Sequence, residues 1–424
     1  MSLPELRRYA PGTDFLSFGD RVVAATPESV VVKAADGVSS RGVLYANGKE
    51  KTAVFLMHPR ADMTRHYAVP DIVENGYAFF AQQGRFAGDD VSRVHEPLLA
   101  DMAAGLKFVK SRGFENIILL GNGIGAGLCS LYHAQAVTAT PGRLARTPAG
   151  DAFDLNELEM PAADGFIFLS AHLGAGEALQ SGIDPSVIDE NDPLSCDPEL
   201  DMYNLKNGFN QPPQPVKYSE EFLAQYRTAQ KFRAARLDAI AWALIHERRH
   251  SESRLNTPVF DKFDYNGQAF VMRRAAKSRL MQIHRLEADP ACVDLSLRPS
   301  DRSYGSLMSI RPDIANYAMM GTRLFSPQAW LSSWSARYSR ASVLDNLPKV
   351  ALPSLVLGYT GDNSVAPGVA EMIYRESPAS DKEVTAVAGD HFGFPVPSKP
   401  GQGGRDAALK IIVGWLRQRF PGSK

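Results

Sequence analysis

Several short segments of the chain are apolar with almost no polar interruption. In its first part they are 53–57, 77–81, 117–120 and 165–170, and two further segments late in the chain, 354–359 and 383–387, are also predicted to be strands. Continuous rather than alternating hydrophobicity is typical of strands that are buried on both faces, as in a parallel sheet covered by helices. The β-branched runs within 21–48, broken by turn residues, predict an antiparallel hairpin ahead of them.

The segments between these strands have helical periodicity. Between residues 95 and 113, apolar side chains recur every three or four positions, and Gly113 supplies a stop signal. A second amphipathic pattern covers 407–420. Strands and helices that alternate in this way predict right-handed crossovers and an α/β fold with a mostly parallel central sheet.

The stretch 175–345 has a different character. It opens with turns rich in proline and aspartate and continues with a long helix predicted from about 219 to 249. The sheet is incomplete until the chain returns at 354, so we favour a large helical cap insertion over an independent domain joined by linkers. The predicted division is 1–174 and 346–424 for the two parts of the core, with the cap at 175–345.

The composition narrows the classes of partner. Lys and Arg number 46 against 47 Asp and Glu, for a net charge of −1, so global electrostatics give no reason to expect nucleic acid. No apolar run reaches 18 residues, so no membrane span is expected. The three cysteines have neither disulfide-framework nor metal-site spacing, which favours a cytoplasmic protein. We expect a small-molecule substrate, and the sequence does not reveal the oligomeric state.

Candidate chemistry follows the predicted strands, because ligands of open parallel sheets bind outside the carboxyl ends of the strands. His58 ends the first buried strand, and the glycine-rich segment 121–127 follows the third. Asp362 and His391 follow the last two strands. These residues are therefore expected to meet at one edge of the sheet.

This layout resembles the α/β-hydrolase fold over nearly the whole chain. In that fold the nucleophile sits on a sharp strand-to-helix turn of the form G-x-nucleophile-x-G, and an acid and a histidine follow in that order. The resemblance assigns the turn to 121–125, the acid to Asp362 and the base to His391. Further motifs are similar to a bacterial subgroup of these hydrolases with a large cap, namely His58-Pro59, His95-Glu96, Leu120-Gly121-Asn122 and Ala171-His172-Leu173-Gly174.

The nucleophile position departs from the pattern, because it holds Gly123. Glycine has no side chain and cannot form an acyl-enzyme, so an ordinary serine esterase is excluded. Glycine does tolerate the positive φ that such a turn demands. The turn is therefore expected to keep its geometry without its attacking atom.

Two functions from different classes remain. In the first, His391 oriented by Asp362 is a general base of a non-covalent hydrolase or lyase that acts on an ester, a thioester or a ketone. The resemblance places the oxyanion donors at the backbone amides of Ile124 and Arg60, since Pro59 has no N–H. In the second, the chain is a non-catalytic homologue that binds a ligand in the same pocket.

Four further residues are predicted to bind substrate: His58, Asn122, Arg85 and Trp334. Three of them have a plainer alternative: His58 as a hydrogen-bonded scaffold, Arg85 as a solvated charge, and Trp334 as an anchor of the cap. The scattered histidines lack metal-ligand spacing, and the glycines of 121–127 depart from G-x-G-x-x-G. We therefore expect no metal and no cofactor.

Overall fold

A computed structural model describes residues 6–9, 14–401 and 403–423. The strands are β1 (Pro27–Lys33), β2 (Ser39–Tyr45), β3 (Thr52–His58), β4 (Ala78–Gln83), β5 (Asn116–Asn122), β6 (Gly165–Leu169), β7 (Met281–Ile283), β8 (Arg323–Phe325), β9 (Ser354–Tyr359) and β10 (Lys382–Val387). The helices are α1 (Val69–Glu74), α2 (His95–Ser111), α3 (Gly125–Ala136), α4 (Ala175–Gly182), α5 (Glu220–Leu255), α6 (Tyr265–Ala276), α7 (Pro312–Ala315), α8 (Pro327–Ala329), α9 (Val343–Asn346), α10 (Val369–Glu376) and α11 (Gly404–Arg419).

Eight strands form one sheet in the order β1-β2-β4-β3-β5-β6-β9-β10. Strand β2 runs antiparallel to both of its neighbours, β1 and β4. The remaining pairs, from β4 through β3 to β10, are all parallel. The predicted α/β class with a mostly parallel sheet is confirmed, and so is the antiparallel hairpin at its start.

The core lies on both faces of this sheet. Every side chain of β3 is buried, and successive residues point to opposite faces. Phe55 packs in the cluster formed with α2 and α3, whereas Val54 packs in the cluster formed with α1 and α11. A strand covered on both sides has no solvent-facing position, which is why its sequence is apolar without alternation.

Between β6 and β9 the chain leaves the sheet and forms helices α4 to α9 and the antiparallel pair β7–β8. Helix α5 begins where the Ser219 hydroxyl accepts a hydrogen bond from the amide of Phe222 at 3.1 Å. It continues to Leu255, about two turns beyond the predicted end at 249. The insertion has apolar clusters of its own, one of them built around Leu237, Ile283 and Trp330.

The insertion rests on the end of the sheet where β5 stops. Its apolar cluster packs against Ile124, which directly precedes α3. The Ser332 hydroxyl accepts a hydrogen bond from the amide of His95, at the start of α2, at 2.9 Å. Within the described ranges, no helix is both long enough and apolar enough to cross a membrane.

Candidate active site

A sharp turn joins β5 to α3 and has Gly123 at its apex. The φ angle of Gly123 is +55°, in the left-handed region that favours glycine. Its amide donates to the Leu169 carbonyl at 3.1 Å, and its carbonyl accepts from the His172 amide at 3.1 Å. The turn is therefore held to the end of β6 through backbone groups on both sides of the missing side chain.

Asp362 and His391 form a hydrogen-bonded pair beside this turn. The Nδ1 atom of His391 lies 2.8 Å from Oδ2 of Asp362, and both side chains are almost fully buried. The other carboxylate oxygen, Oδ1, accepts from the amides of Ser364 and Val365 at 2.6 and 2.8 Å. Because both oxygens are engaged, the carboxylate has one orientation.

Ser170 is a third member of this group. Its hydroxyl donates to Oδ2 of Asp362 at 2.5 Å and lies 3.3 Å from Nδ1 of His391. Ser170 follows β6 and has a φ of +45°, unusual for a residue other than glycine. This backbone conformation places its hydroxyl against the carboxylate instead of into the core.

The negative charge of Asp362 supports His391 as a base. Burial raises the pKa of Asp362, but His391 and the hydrogen bonds from Ser170 and Val365 lower it by more. The net pKa is therefore below that of an ordinary aspartate. Burial lowers the pKa of His391, but the Asp362 carboxylate raises it more, so the net pKa is above 6.5. A carboxylate on Nδ1 keeps the proton there, which leaves the lone pair of Nε2 free to accept another.

The free nitrogen of His391 faces the bare turn. A Cβ atom built on Gly123 would lie 3.7 Å from Nε2 and 4.0 Å from Cε1, with no other heavy atom within 4 Å apart from its chain neighbours. The imidazole therefore lies next to the position where the resemblance places an attacking atom. The amide of Ile124, the next residue, makes no hydrogen bond to any residue that the structure describes.

These groups open into one cavity of about 480 Å³ between the sheet edge and the insertion. A volume of this size accommodates a small organic ligand. From the core it is lined by His58, Arg60, Asn122, Gly123, Ile124, His172 and His391, and from the insertion by residues that include Leu179, Leu286, Glu287, Cys292, Arg323 and Trp334.

His58 changes the predicted set of oxyanion donors. Its Nδ1 accepts hydrogen bonds from the amides of Arg60 and Ala61 at 3.1 and 2.8 Å. The Arg60 amide is therefore already engaged by a side chain, which corrects its assignment as an oxyanion donor. Burial and the nearby arginines lower the pKa of His58 well below 6.5, so the ring is neutral and carries its proton on Nε2. That N–H is the donor that this loop can offer instead.

The other predicted substrate contacts are divided. Asn122 and Trp334 line the cavity, and the Asn122 side chain also donates to the Leu169 carbonyl at 3.1 Å. Arg85 does not line it, because its guanidinium is paired with Asp36 and Asp101 at 2.5 and 2.7 Å. The assignment of Arg85 to substrate binding is therefore wrong, since two carboxylates hold it away from the site.

Sequence reasoning gave no site role to three residues of this region: Ser170, Arg323, and His172, which it named only within a motif. The Nε2 atom of His172 lies 3.1 Å from the Ser364 hydroxyl, and its ring centroid is 5.4 Å from that of His391. Burial and the charge of His391 lower the pKa of His172 to about 4, so it is neutral near pH 7. Applying the strand-end rule to β6 would have found Ser170 and His172, whereas no local signal marks Arg323.

No protein-family model matches the sequence, and no curated protein matches it. Among solved structures, the chain is similar to an esterase of Pyrococcus furiosus, with 12% identity, coverage of 96% of this chain and 98% of that one, and a TM-score of 0.41. It is also similar to an esterase of Exiguobacterium antarcticum (12% identity, 92% and 99% coverage, TM-score 0.39) and to DcsB in complex with its substrate analogue (12%, 93% and 99%, TM-score 0.46).

The architecture of the chain itself identifies the fold. A mostly parallel sheet carries a sharp strand-to-helix turn at its centre, between β5 and α3. An acid after β9 and a histidine after β10 follow in chain order and reach that turn. By this architecture, with glycine at the nucleophile position, the chain has the α/β-hydrolase fold.

Proposed function

We propose that the chain is an enzyme that cleaves a carbonyl compound, an ester, a thioester or a ketone, with His391 as general base and no covalent intermediate. The observation that carries the proposal is the position of the His391 Nε2 atom, 3.7 Å from the Cβ site of Gly123 with Asp362 on the opposite ring nitrogen. A base held at the nucleophile position where no side chain attacks can act on a water or on the substrate itself.

In the hydrolytic form of the reaction, Nε2 of His391 removes a proton from water as its oxygen bonds to the carbonyl carbon. The carbonyl electron pair moves to oxygen, where the Ile124 amide donates a hydrogen bond, and Nε2–H of His58 is the second proposed donor. Collapse of this intermediate breaks the bond to the leaving group, which takes the proton back from His391. Asp362 stabilises the imidazolium between the two steps.

For a ketone with a cleavable carbon–carbon bond, the same base serves a lyase reaction. The proton removed then comes from a hydroxyl group β to the carbonyl, and this carbon–oxygen bond becomes a second carbonyl as the carbon–carbon bond breaks. The electron pair of the broken bond forms an enolate, which the same donors stabilise and which takes the proton back from His391 at carbon. Either form needs only a base and hydrogen-bond donors, so the proposal includes no cofactor.

We further propose that the insertion acts as a cap. The predicted segment 175–345 lies between β6 and β9 in the chain. This part of the chain contributes Leu179, Leu286 and Trp334 to the cavity. A wall made by the insertion excludes water and gives the cavity its shape, so the choice of substrate depends on residues outside the sheet.

The test is product detection with purified protein. Short esters, thioesters and 1,3-diketones are incubated with the native enzyme and with His391→Ala, and products are measured by mass spectrometry. We expect turnover to fall by a factor of about 10² to 10⁴ in H391A, the usual contribution of a general base. His250→Ala, on the exposed surface of α5, is the matched control and should retain full activity.

Two outcomes would reject the proposal. Undiminished turnover of a confirmed substrate by H391A would remove the base from the mechanism. Compounds that raise the melting temperature of the native protein but yield no product would favour the alternative, a non-catalytic ligand-binding protein of the same fold.

A further inference from the structure

Two arginines line the cavity, one from each layer. Arg60 lies in the loop after β3, and Arg323 begins β8 of the insertion. Each guanidinium carries a full positive charge near neutral pH. Their carboxylate partners therefore decide whether the cavity is electrically neutral.

Among the described residues, no carboxylate lies within 4 Å of the Arg323 guanidinium. Asp90 and Glu287 act on its charge only from farther away. Only Nη1 is engaged, by the backbone carbonyls of Met320 and Thr322, both at 2.9 Å. Its Nε and Nη2 hydrogens thus have no acceptor among the described residues, and the residue lines the cavity.

Arg60 shares its partner with a second arginine. The Asp90 carboxylate lies 2.8 Å from Nη2 of Arg60 and 2.6 Å from Nη1 of Arg93. Arg93 is fully buried, and its Nε and Nη2 atoms find no acceptor within the described residues. Both guanidiniums lie over the ring of Trp334, at 6.0 and 4.7 Å from its centroid. One negative charge therefore faces two positive charges at this wall.

The acidic residues of the cavity do not cancel this excess. Asp289 lines the cavity, but its carboxylate is paired at 2.5 Å with Arg227, which lies outside the lining. Glu287 has no cation within 4 Å among the residues described; burial raises its pKa, and the Ser306 hydroxyl and the charge of Arg323 lower it by less. Even with Glu287 ionised, its single charge is fewer than the two that Arg323 and the pair around Asp90 leave uncompensated.

We propose that the cavity binds a substrate that carries a carboxylate, seated on the guanidinium of Arg323, with Arg60 contributing to the positive field. A partly buried guanidinium without a counter-ion is costly, and its planar fork matches two carboxylate oxygens. A singly charged acid also matches the small charge excess. The inference rests on the proposed function only in taking this substrate to be a carbonyl compound. Binding of a carboxylate at Arg323 does not require catalysis by His391.

The experiment separates binding from turnover by using pairs of an oxo acid and its methyl ester. The acids are 4-oxopentanoate, 5-oxohexanoate and 7-oxooctanoate, three lengths of the link between ketone and carboxylate. Dissociation constants are measured by calorimetry for the native protein and for Arg323→Gln, Arg323→Lys and Arg375→Gln. Arg375 is an exposed residue of α10 outside the cavity lining and serves as the control.

We expect at least one acid to bind more tightly than its ester, and R323Q to weaken the acid by about 10- to 100-fold, as for a lost charge-assisted hydrogen bond. R323K should retain part of the affinity, and R375Q all of it. In the native protein, raising sodium chloride from 0.05 to 0.5 M should weaken the acid and leave the ester unchanged. H391A should still bind the acid, which keeps this test independent of catalysis.

Several results would overturn the assignment. Equal binding of every acid and ester pair, or no binding of any acid, would show that the cavity does not select a carboxylate. Unchanged acid affinity in folded R323Q would place the charge elsewhere. Tighter binding of inorganic phosphate than of all three acids would transfer the site to a phosphate-bearing ligand.

Discussion

Replacing Gly123 with serine should convert the turn into a covalent nucleophile. A Cβ at this position has His391 as its nearest neighbour, with Nε2 at 3.7 Å. The serine oxygen extends about 1.4 Å further, which brings it within about 3 Å of Nε2, the separation of a nucleophile and its base. The amide of Ile124, which we propose as an oxyanion donor, has no acceptor among the described residues.

The substitution has a conformational cost that can be worked out. At a φ of +55° a residue with a Cβ is less stable than glycine by about 1–2 kcal/mol. The contacts of the new Cβ at 3.7 and 4.0 Å are ordinary van der Waals distances and add no clash. Gly123→Ala should therefore lower the free energy of unfolding about as much as G123S, which makes it the control for strain without an attacking atom.

The assay is labelling by a fluorophosphonate, followed by intact-protein mass spectrometry. G123S should gain one adduct as its oxygen displaces fluoride and His391 takes the proton. The native protein and G123A should gain none, and G123S/H391A should react at least about 100-fold more slowly. A burst of nitrophenol from 4-nitrophenyl acetate would report the same nucleophile. If folded G123S remains unlabelled, the view that His391 addresses the nucleophile position is refuted.

Three other predictions concern the pH dependence of turnover and the stability that two buried ion pairs provide. Because only neutral His391 is a base and its pKa lies above 6.5, turnover should rise with pH through a midpoint above 6.5, and Asp362→Asn should move that midpoint to lower pH. Arg85→Ala should lower the free energy of unfolding by about 3 kcal/mol, since it strands a buried aspartate, while KM stays unchanged. Asp184→Ala leaves the fully buried Arg285 without its partner at 2.7 Å and should cost about 3–5 kcal/mol.

Each of these has a clear contrary result. An unchanged midpoint in D362N would mean that another group controls the pH profile. A raised KM with normal stability in R85A would restore Arg85 to substrate binding. Urea unfolding of D184A that matches the native protein would show that the buried pair adds nothing to the stability of the insertion.

The core of the fold could be predicted because its signals are local. Continuous apolar runs predicted β3, β5 and β6, since strands covered on both faces have no polar position to fill. The bounds shifted by only a few residues, as for the helix predicted over 407–420 and found as α11, Gly404–Arg419. The proximity of His391 and Asp362 also followed, because parallel strands end at the same edge of a sheet.

The errors came from contacts that the residue pattern does not reveal. Arg85 looked free to bind substrate. Its partner Asp36 lies 49 residues away along the chain, so no sequence motif indicates the ion pair. The Arg60 amide looked free because nothing in a motif shows that the His58 ring turns back onto its own loop. The strand-end rule marks the position of Ser170, but its hydrogen bond to a carboxylate 192 residues further on appears only in the folded chain.

The sequence alone determined the order of strands and helices, the bare glycine at the turn, and the acid and histidine after the last two strands, because each depends on residue type and near neighbours. Tertiary structure alone decided which amides remain free, which charges are neutralised, and that Arg323 enters the cavity from the insertion. Those properties depend on which polar groups are buried and which partners they find there. These partners come together only when the chain has folded.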